Sequence, residues 1–514
     1  MADPRLSDAL SRLPDYLGSH VLVSVTALAL GLALSLPLAI ASLRRPRLRA
    51  LLLGATSIVQ TTPGLALLAL FYPLLLGLAA LSERTLGIGF SALGFLPAVL
   101  ALALYSMLPV VRNTITGILG VDRAMIRAAQ GVGMTEGETL RLVELPLALP
   151  IIMAGIRTAA VWVIGTATLS TPIGQTSLGN YIFTGLQTQN WIFVAVGCAA
   201  AAALALAVDQ LLALLETGVA RRSRNRLIAG AAGLALIVLT ALLPVGLRGK
   251  TGYVIAAKPF AEQYVLAALI EDRLRAAGLP ATRRDGLGSA IIFSGLAAGD
   301  IDAYVEYTGT LWANQMGRKD VRPRAEVLAE VGKWLQERHR ITLVGGLGFE
   351  NAYALAMTAR RAQALNVRSL PDLARHAPTL SIAGDYEFFG RPEWQALRDA
   401  YRLAFRQQRQ MQAEFMYPAI AAGEVDVISA YTSDGRVAQF GLQVLDDPRQ
   451  AIPPYDAILL VSPRRATDRA FLEALKPLIG AITVETMREA NRRVSDGTSP
   501  QQAARWLAEK LAKP

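Results

Sequence analysis

The sequence predicts two folds in one chain: an all-α polytopic membrane domain of about six transmembrane helices, followed by an α/β domain of two lobes. Three observations predict it. Long apolar runs fill residues 21 to 247, arginines recur in every second loop between them, and beyond Lys250 strand-like and helix-like patterns alternate to the end. Of the 514 residues 53% are hydrophobic and 18% charged, too apolar for an ordinary soluble chain and too charged to lie wholly in a bilayer. The net charge of +11 tracks the arginine loops, so it reads as membrane topology and not as nucleic-acid binding. Cys198, the one cysteine, lies in an apolar run and excludes a disulfide framework or a Cys-based zinc site. His20, His339 and His376 are scattered, and there is no nucleophile–base set, P-loop or Gly-rich dinucleotide fingerprint. The expectation is a chain that is not an enzyme and uses no cofactor, metal or nucleic acid.

The apolar runs lie near 21–43, 51–79, 86–111, 148–171, 191–215 and 227–247, each about the 20 residues that a bilayer core requires. Arg157 interrupts the fourth near its start. The second contains Thr61-Thr62-Pro63-Gly64 and is expected to break or tilt. Arg44, Arg45, Arg47 and Arg49 follow the first run, Arg112, Arg123, Arg127 and Arg141 the third, and Arg221, Arg222, Arg224 and Arg226 the fifth. With six spans these loops share the cytoplasmic side. The N-terminus and everything after residue 248 then lie outside. The chain is expected to be multi-pass in the cell inner membrane, with lipid around it and its C-terminal domain periplasmic or extracellular. Residues 1–19 mix both signs of charge without a secretory n-region and are expected to form an interfacial segment. The membrane domain then covers 20–226, and 227–250 holds the sixth helix and a short linker.

The loop from 122 to 147 is the most informative stretch. Met125, Ala128 and Ala129 have helical spacing, and Gly133 interrupts it. Glycine accepts φ > 0, so one short helix can turn sharply into the next. Thr135 with Glu138 three residues on predicts a capping box, and Pro146 and Pro150 suit the start of the following span. The loop resembles the EAA signature by which ABC importer permeases grip their ATPase. Ala128, Ala129, Gly133, Leu145 and Pro146 fit; Arg127 stands where the family usually has Glu, and Val143 where Ile is common. The departure at Arg127 bears on one polar contact with the ATPase. The resemblance implies an ABC type I importer permease that pairs with a second copy of itself, with two copies of a separate ATPase docked beneath the loops.

In the second half, Thr251 to Ile255 reads as a strand, and Lys258 to Gln263 opens a helical pattern that runs to Leu274. ITLVGGLGFENAYALAM, from Ile341, reads as a strand crossing between lobes. Lobe 1 is then about 251–345 with 451–514, and lobe 2 about 346–450. KPFAEQ from Lys258, GDIDAYVEYTGT from Gly299, NAYALA from Asn351, YEFFGR from Tyr386, AYTSD from Ala430 and PPY from Pro453 resemble the osmoprotectant substrate-binding proteins. That family takes up glycine betaine, choline, carnitine and related quaternary amines. The resemblance covers nearly all of 251–514 and implies a periplasmic-binding-protein-like fold of type II, fused here to its own permease.

A quaternary ammonium has no N–H to donate, so aromatic faces must hold it, each contributing about 0.5–2 kcal/mol. The resemblance maps such a cage onto Tyr307, Tyr353, Tyr431 and Tyr455. It places Lys258, Thr310 and Arg391 where groups that hold a betaine carboxylate stand, with Gln263 and Glu387 as further pocket candidates. Other readings stay open: any single tyrosine as a core or rim residue, Arg391 as a surface or lobe-bridging ion pair, Lys258 as a loop cap, Thr310 as a helix N-cap. Trp312, Trp334 and Trp394 read as packing residues. The expected cargo is glycine betaine, with choline, carnitine, ergothioneine or an amino acid as alternatives. A membrane receptor that signals without transport is the rival of a different class, and the ATPase-docking loop argues against it.

Overall fold

The computed structural model describes residues 4–512 except 88–89, 189, 248–251, 319, 321 and 386–387. The chain folds as two compact units, one helical and one α/β. The expected linker falls largely on residues outside those described.

Ahead of the first strand the chain forms α1 (Pro4–Ser42), α2 (Pro46–Thr61), α3 (Gly64–Leu86), α4 (Phe95–Leu119), α5 (Arg123–Gly131), α6 (Glu136–Thr139), α7 (Leu145–Ala167), α8 (Gly179–Gln187), α9 (Trp191–Ala220) and α10 (Arg224–Leu247). Among the described residues, six helical runs are long and apolar enough to cross a membrane: those of α1, α3, α4, α6 through α7, α9 and α10. α4 is the central helix and packs against α1 and α7.

Three expected boundaries are corrected. The interfacial segment 1–19 is not separate, because α1 runs unbroken from Pro4 through the first span. Its first turns are held by Tyr181, whose hydroxyl donates to the Ala9 carbonyl and whose ring meets Tyr16 edge-on at 4.8 Å. The run 51–79 does break, between α2 and α3. Pro63 offers no N–H and forces Thr62 into an extended conformation (φ −70°, ψ 130°), so the second span is Gly64–Leu86. The third span starts at Phe95, after Gly94 with φ +75°.

The fifth run is not charge-free either, since it carries Asp209. Arg157 on α7 uses Nε and Nη2 to hold both oxygens of Asp209 on α9, each at 2.9 Å, and Nη1 to hold Glu216 at 2.9 Å. At about 1.5 Å per residue, Arg157 lies roughly 18 Å from the start of α7 and Asp209 roughly 17 Å from the end of α9, so the partners sit at matched depth. A charge in an apolar span needs such a partner. Arg157→Lys keeps the charge but loses the planar fork. It is expected to cost about 1–3 kcal/mol, read as a lower unfolding midpoint of the full chain in nanodiscs; an unchanged midpoint would show that the fork contributes nothing.

Among the described residues the α/β unit has two five-stranded sheets. The first is ordered β2-β1-β3-β10-β4 and the second β7-β6-β8-β5-β9. In chain order the strands are β1 (Tyr253–Ala256), β2 (Ala281–Arg284), β3 (Ala303–Tyr307), β4 (Thr342–Glu350), β5 (Tyr353–Thr358), β6 (Ser381–Gly384), β7 (Gln407–Gln410), β8 (Val427–Tyr431), β9 (Leu442–Val444) and β10 (Asp456–Val461). β4 stays in the first sheet through Glu350, so the crossing comes at Asn351-Ala352, later than the expected residue 346. The chain returns between β9 and β10, and there the Asn351 N–H donates to the Tyr455 carbonyl at 3.0 Å. The two crossing segments therefore brace each other. The first expected helix of this unit is α11 (Ala261–Ala276).

Candidate ligand-binding site and coupling loop

Strand register assembles the aromatic cluster. Tyr353 on β5 and Tyr431 on β8 are direct partners in the second sheet, which sets their rings 4.8 Å apart at 42°. Tyr455, on the return crossing, meets Tyr353 at 5.9 Å and 87°. Tyr307, at the end of β3, joins through Phe260, whose ring lies 6.2 Å from Tyr307 and 6.4 Å from Tyr431. The four predicted tyrosines thus gather in one cluster drawn from both lobes. Rings meeting at such angles form adjoining walls, and a cation within about 6 Å of their centroids is attracted by each face. Gly309 shapes one wall: a Cβ there would stand 2.3 Å from the Tyr455 ring.

Three of the four hydroxyls behind these rings end on acidic groups. Tyr307 donates to Glu262 Oε1 at 2.5 Å, and Tyr455 donates to Glu393. The Tyr431 hydroxyl lies 3.1 Å from both Asp385 Oδ2 and the Tyr353 hydroxyl. Burial first, and neighbouring charge second, push the Tyr307, Tyr431 and Tyr455 hydroxyls well above the ordinary tyrosine range. They stay protonated at neutral pH and donate to the acidic side chains behind the cluster.

The predicted polar residues fare differently. Lys258 is buried and ion-paired with Glu306, its Nζ 5.4 Å from the Tyr307 centroid; its charge is already matched within the first lobe, and it is not a mere loop cap. Gln263 donates to the Val305 carbonyl and to the Tyr307 hydroxyl, both at 3.0 Å, and so orients that ring. Thr310 is buried one residue past Gly309 and makes no side-chain cap. Thr308 instead ties the segment to the return crossing, donating to the Pro454 carbonyl at 2.9 Å and accepting from the Asp456 N–H at 3.0 Å. The Arg391 guanidinium stands 5.4 Å from the Tyr353 centroid. Glu387 lies outside the described residues.

Glu262 was not singled out from the sequence, although it sits inside KPFAEQ. Its Oε1 accepts from Tyr307 and from Asn351 Nδ2 at 3.0 Å, and its Oε2 from Ser433 at 2.6 Å and Asn491 Nδ2 at 2.8 Å. One carboxylate on α11 thus joins the first sheet, the crossing, the second lobe and the helix Val484–Ser495. Burial pushes its carboxyl up, and the donors, Ser433 foremost, pull it partly back.

In the helical unit, α5 carries Arg127, Ala128 and Ala129, with Asp122 accepting from the Ala124 N–H at 2.8 Å as its N-cap. Gly133 has φ +89°, and just past it the Met134 N–H reaches back to the Ala129 carbonyl at 3.1 Å. The capping box forms as expected. The Thr135 N–H lies 2.7 Å from Glu138 Oε2, and the Glu138 N–H donates to Thr135 Oγ1 at 3.3 Å. Leu145 and Pro146 open α7, as expected, in continuity with the preceding turns. A π-helical turn at Leu140–Glu144 joins α6 to α7, relieving the ladder just before the missing N–H of Pro146. Met125, Val132 and Leu142 are exposed apolar residues of this loop.

Residues 252–509 match the substrate-binding domain of ABC-type glycine betaine transport systems. The chain belongs to this family. Residues 31–221 match the inner-membrane component of binding-protein-dependent transport systems, so the protein is an ABC permease fused to a substrate-binding domain. A Helicobacter pylori (strain G27) protein, "ergothioneine transport permease/ergothioneine binding protein EgtU", is 29% identical over 483 residues, covering 90% of this fusion and 84% of that protein. The Bacillus subtilis (strain 168) permeases OpuCB, of a glycine betaine/carnitine/choline system, and OpuBB, of a choline system, are 42% and 39% identical. They cover 39% and 40% of the fusion and 84% and 88% of their own lengths.

Proposed function

We propose that this fusion is the membrane and capture subunit of an importer for trimethylammonium compounds, driven by two copies of a separate ATPase docked at Arg127, Ala128, Ala129, Gly133, Leu145 and Pro146. Two copies of the chain enclose the path, and the binding domain faces the periplasm or exterior. The chain itself hydrolyses nothing. One observation carries the cargo class: four tyrosine rings gather at angles to one another, with acidic groups behind three of their hydroxyls, an arrangement suited to a cation that offers no hydrogen. Glycine betaine, choline, carnitine and ergothioneine share that head group. Tyr353 and Tyr431 wall the cage, with Arg391 beside them for a carboxylate and Lys258, Gln263 and Thr310 supporting the first-lobe side.

Tyr353→Ala and Tyr431→Ala are each expected to weaken binding of glycine betaine, choline and ergothioneine about tenfold. Calorimetric titration of the full chain in nanodiscs checks this. Wild-type affinities in both variants would remove the cage.

A further inference from the structure

Two buried glutamates stand behind two of the cage tyrosines, and they differ in one respect. Glu262 has both oxygens filled, each by two protein donors. Glu393 does not. Its Oε1 accepts from the Tyr455 hydroxyl, while Oε2, although buried, has no hydrogen-bond partner among the described residues. The side chain belongs to the second residue of the helix Pro392–Tyr401 and reaches the residue on the return crossing whose ring adjoins Tyr353.

An acidic residue in the first turn of a helix is ordinary, because the helix dipole favours it. Such residues are normally solvated, however, and Glu393 is 1% exposed. A buried carboxylate oxygen without a donor is unfavourable, and the place to look for its donor is the cargo. Resting on the quaternary-amine reading, we infer that Glu393 is a specificity-determining residue that accepts a hydrogen bond from an O–H or N–H on the ligand. The site then selects trimethylammonium compounds that carry a donor: choline through its hydroxyl, carnitine likewise, ergothioneine through an imidazole N–H. Glycine betaine carries no donor, and its carboxylate would confront a second carboxylate at Oε2. For carnitine and ergothioneine, the cargo carboxylate falls to Arg391, beside the Tyr353 ring.

The test is a calorimetric titration of the full chain in nanodiscs with choline, carnitine, ergothioneine and glycine betaine, for the wild type and Glu393→Gln. At least one donor-bearing ligand should bind the wild type about tenfold or more tighter than glycine betaine. In Glu393→Gln an amide can meet the ligand where Oε2 stood. That ligand should lose about tenfold, while glycine betaine should hold its affinity or gain. Glycine betaine binding the wild type as tightly as every donor-bearing ligand would overturn the inference and leave the quaternary-amine reading intact. So would an equal loss for all four ligands in the variant. Failure of all four to bind the wild type would overturn the quaternary-amine reading itself. Should Glu393→Gln melt early, the wild-type order of affinities decides alone.

Discussion

Glu262→Ala is expected to lower the stability of the binding domain by about 3–5 kcal/mol. The substitution strips the shared acceptor from Tyr307, Asn351, Ser433 and Asn491 and leaves four buried donors around a small void. Glu262→Gln should cost less. The Asn351 and Asn491 side-chain oxygens have no hydrogen-bond partner among the described residues, so either amide can turn to meet the new NH2. Denaturant unfolding of the full chain, followed by fluorescence of the binding domain, checks the order Ala below Gln below wild type. An Ala variant as stable as the wild type would show that the four contacts carry no weight.

The pH dependence follows from the raised Glu262 carboxyl. The folded protein holds this proton more tightly than the unfolded chain does. The stability it adds is full below the ordinary glutamate value of 4.5 and is lost as pH rises through the higher folded value. Glu262→Ala should flatten that part of the profile.

Gly133→Val is expected to reduce uptake to background while leaving cargo affinity unchanged. At φ +89° a β-branched residue is strained, and the turn between α5 and α6 would open. Crowding is not the cause, because a Cβ at Gly133 meets nothing within 4 Å. Gly133→Asn should therefore keep part of the activity, since asparagine tolerates this conformation. Radiolabelled choline or ergothioneine uptake in cells carrying the ATPase, beside titration of the same variants, separates coupling from capture. Full uptake by Gly133→Val would end the assignment of this loop to ATPase docking.

What the sequence revealed depended on reach along the chain. Gly133, Thr135 and Glu138 interact within a few residues, so the turn and the capping box were legible. Pro63 announced its break for the same reason. Asp209 gives little signal because one acid barely alters a long apolar run, and its partner lies on another helix. The tyrosines were legible only through family motifs; the register pairing Tyr353 with Tyr431 has no local signal. Glu262 and Phe260 lie inside the KPFAEQ motif without standing out, because a helix-start acid and an aromatic are ordinary there. Glu393 gave no signal at all, since its importance rests on burial and on one unmatched oxygen.

The braced crossings have a mechanical corollary. Tyr353 follows Asn351 by two residues, Tyr455 immediately precedes β10, and the two strands are tied by the Asn351–Tyr455 bond. On the proposed capture role, the rings that would hold cargo are therefore rooted at the two crossings that connect one lobe to the other. A substitution at either crossing is then expected to disturb the aromatic cluster and the joint between the lobes together.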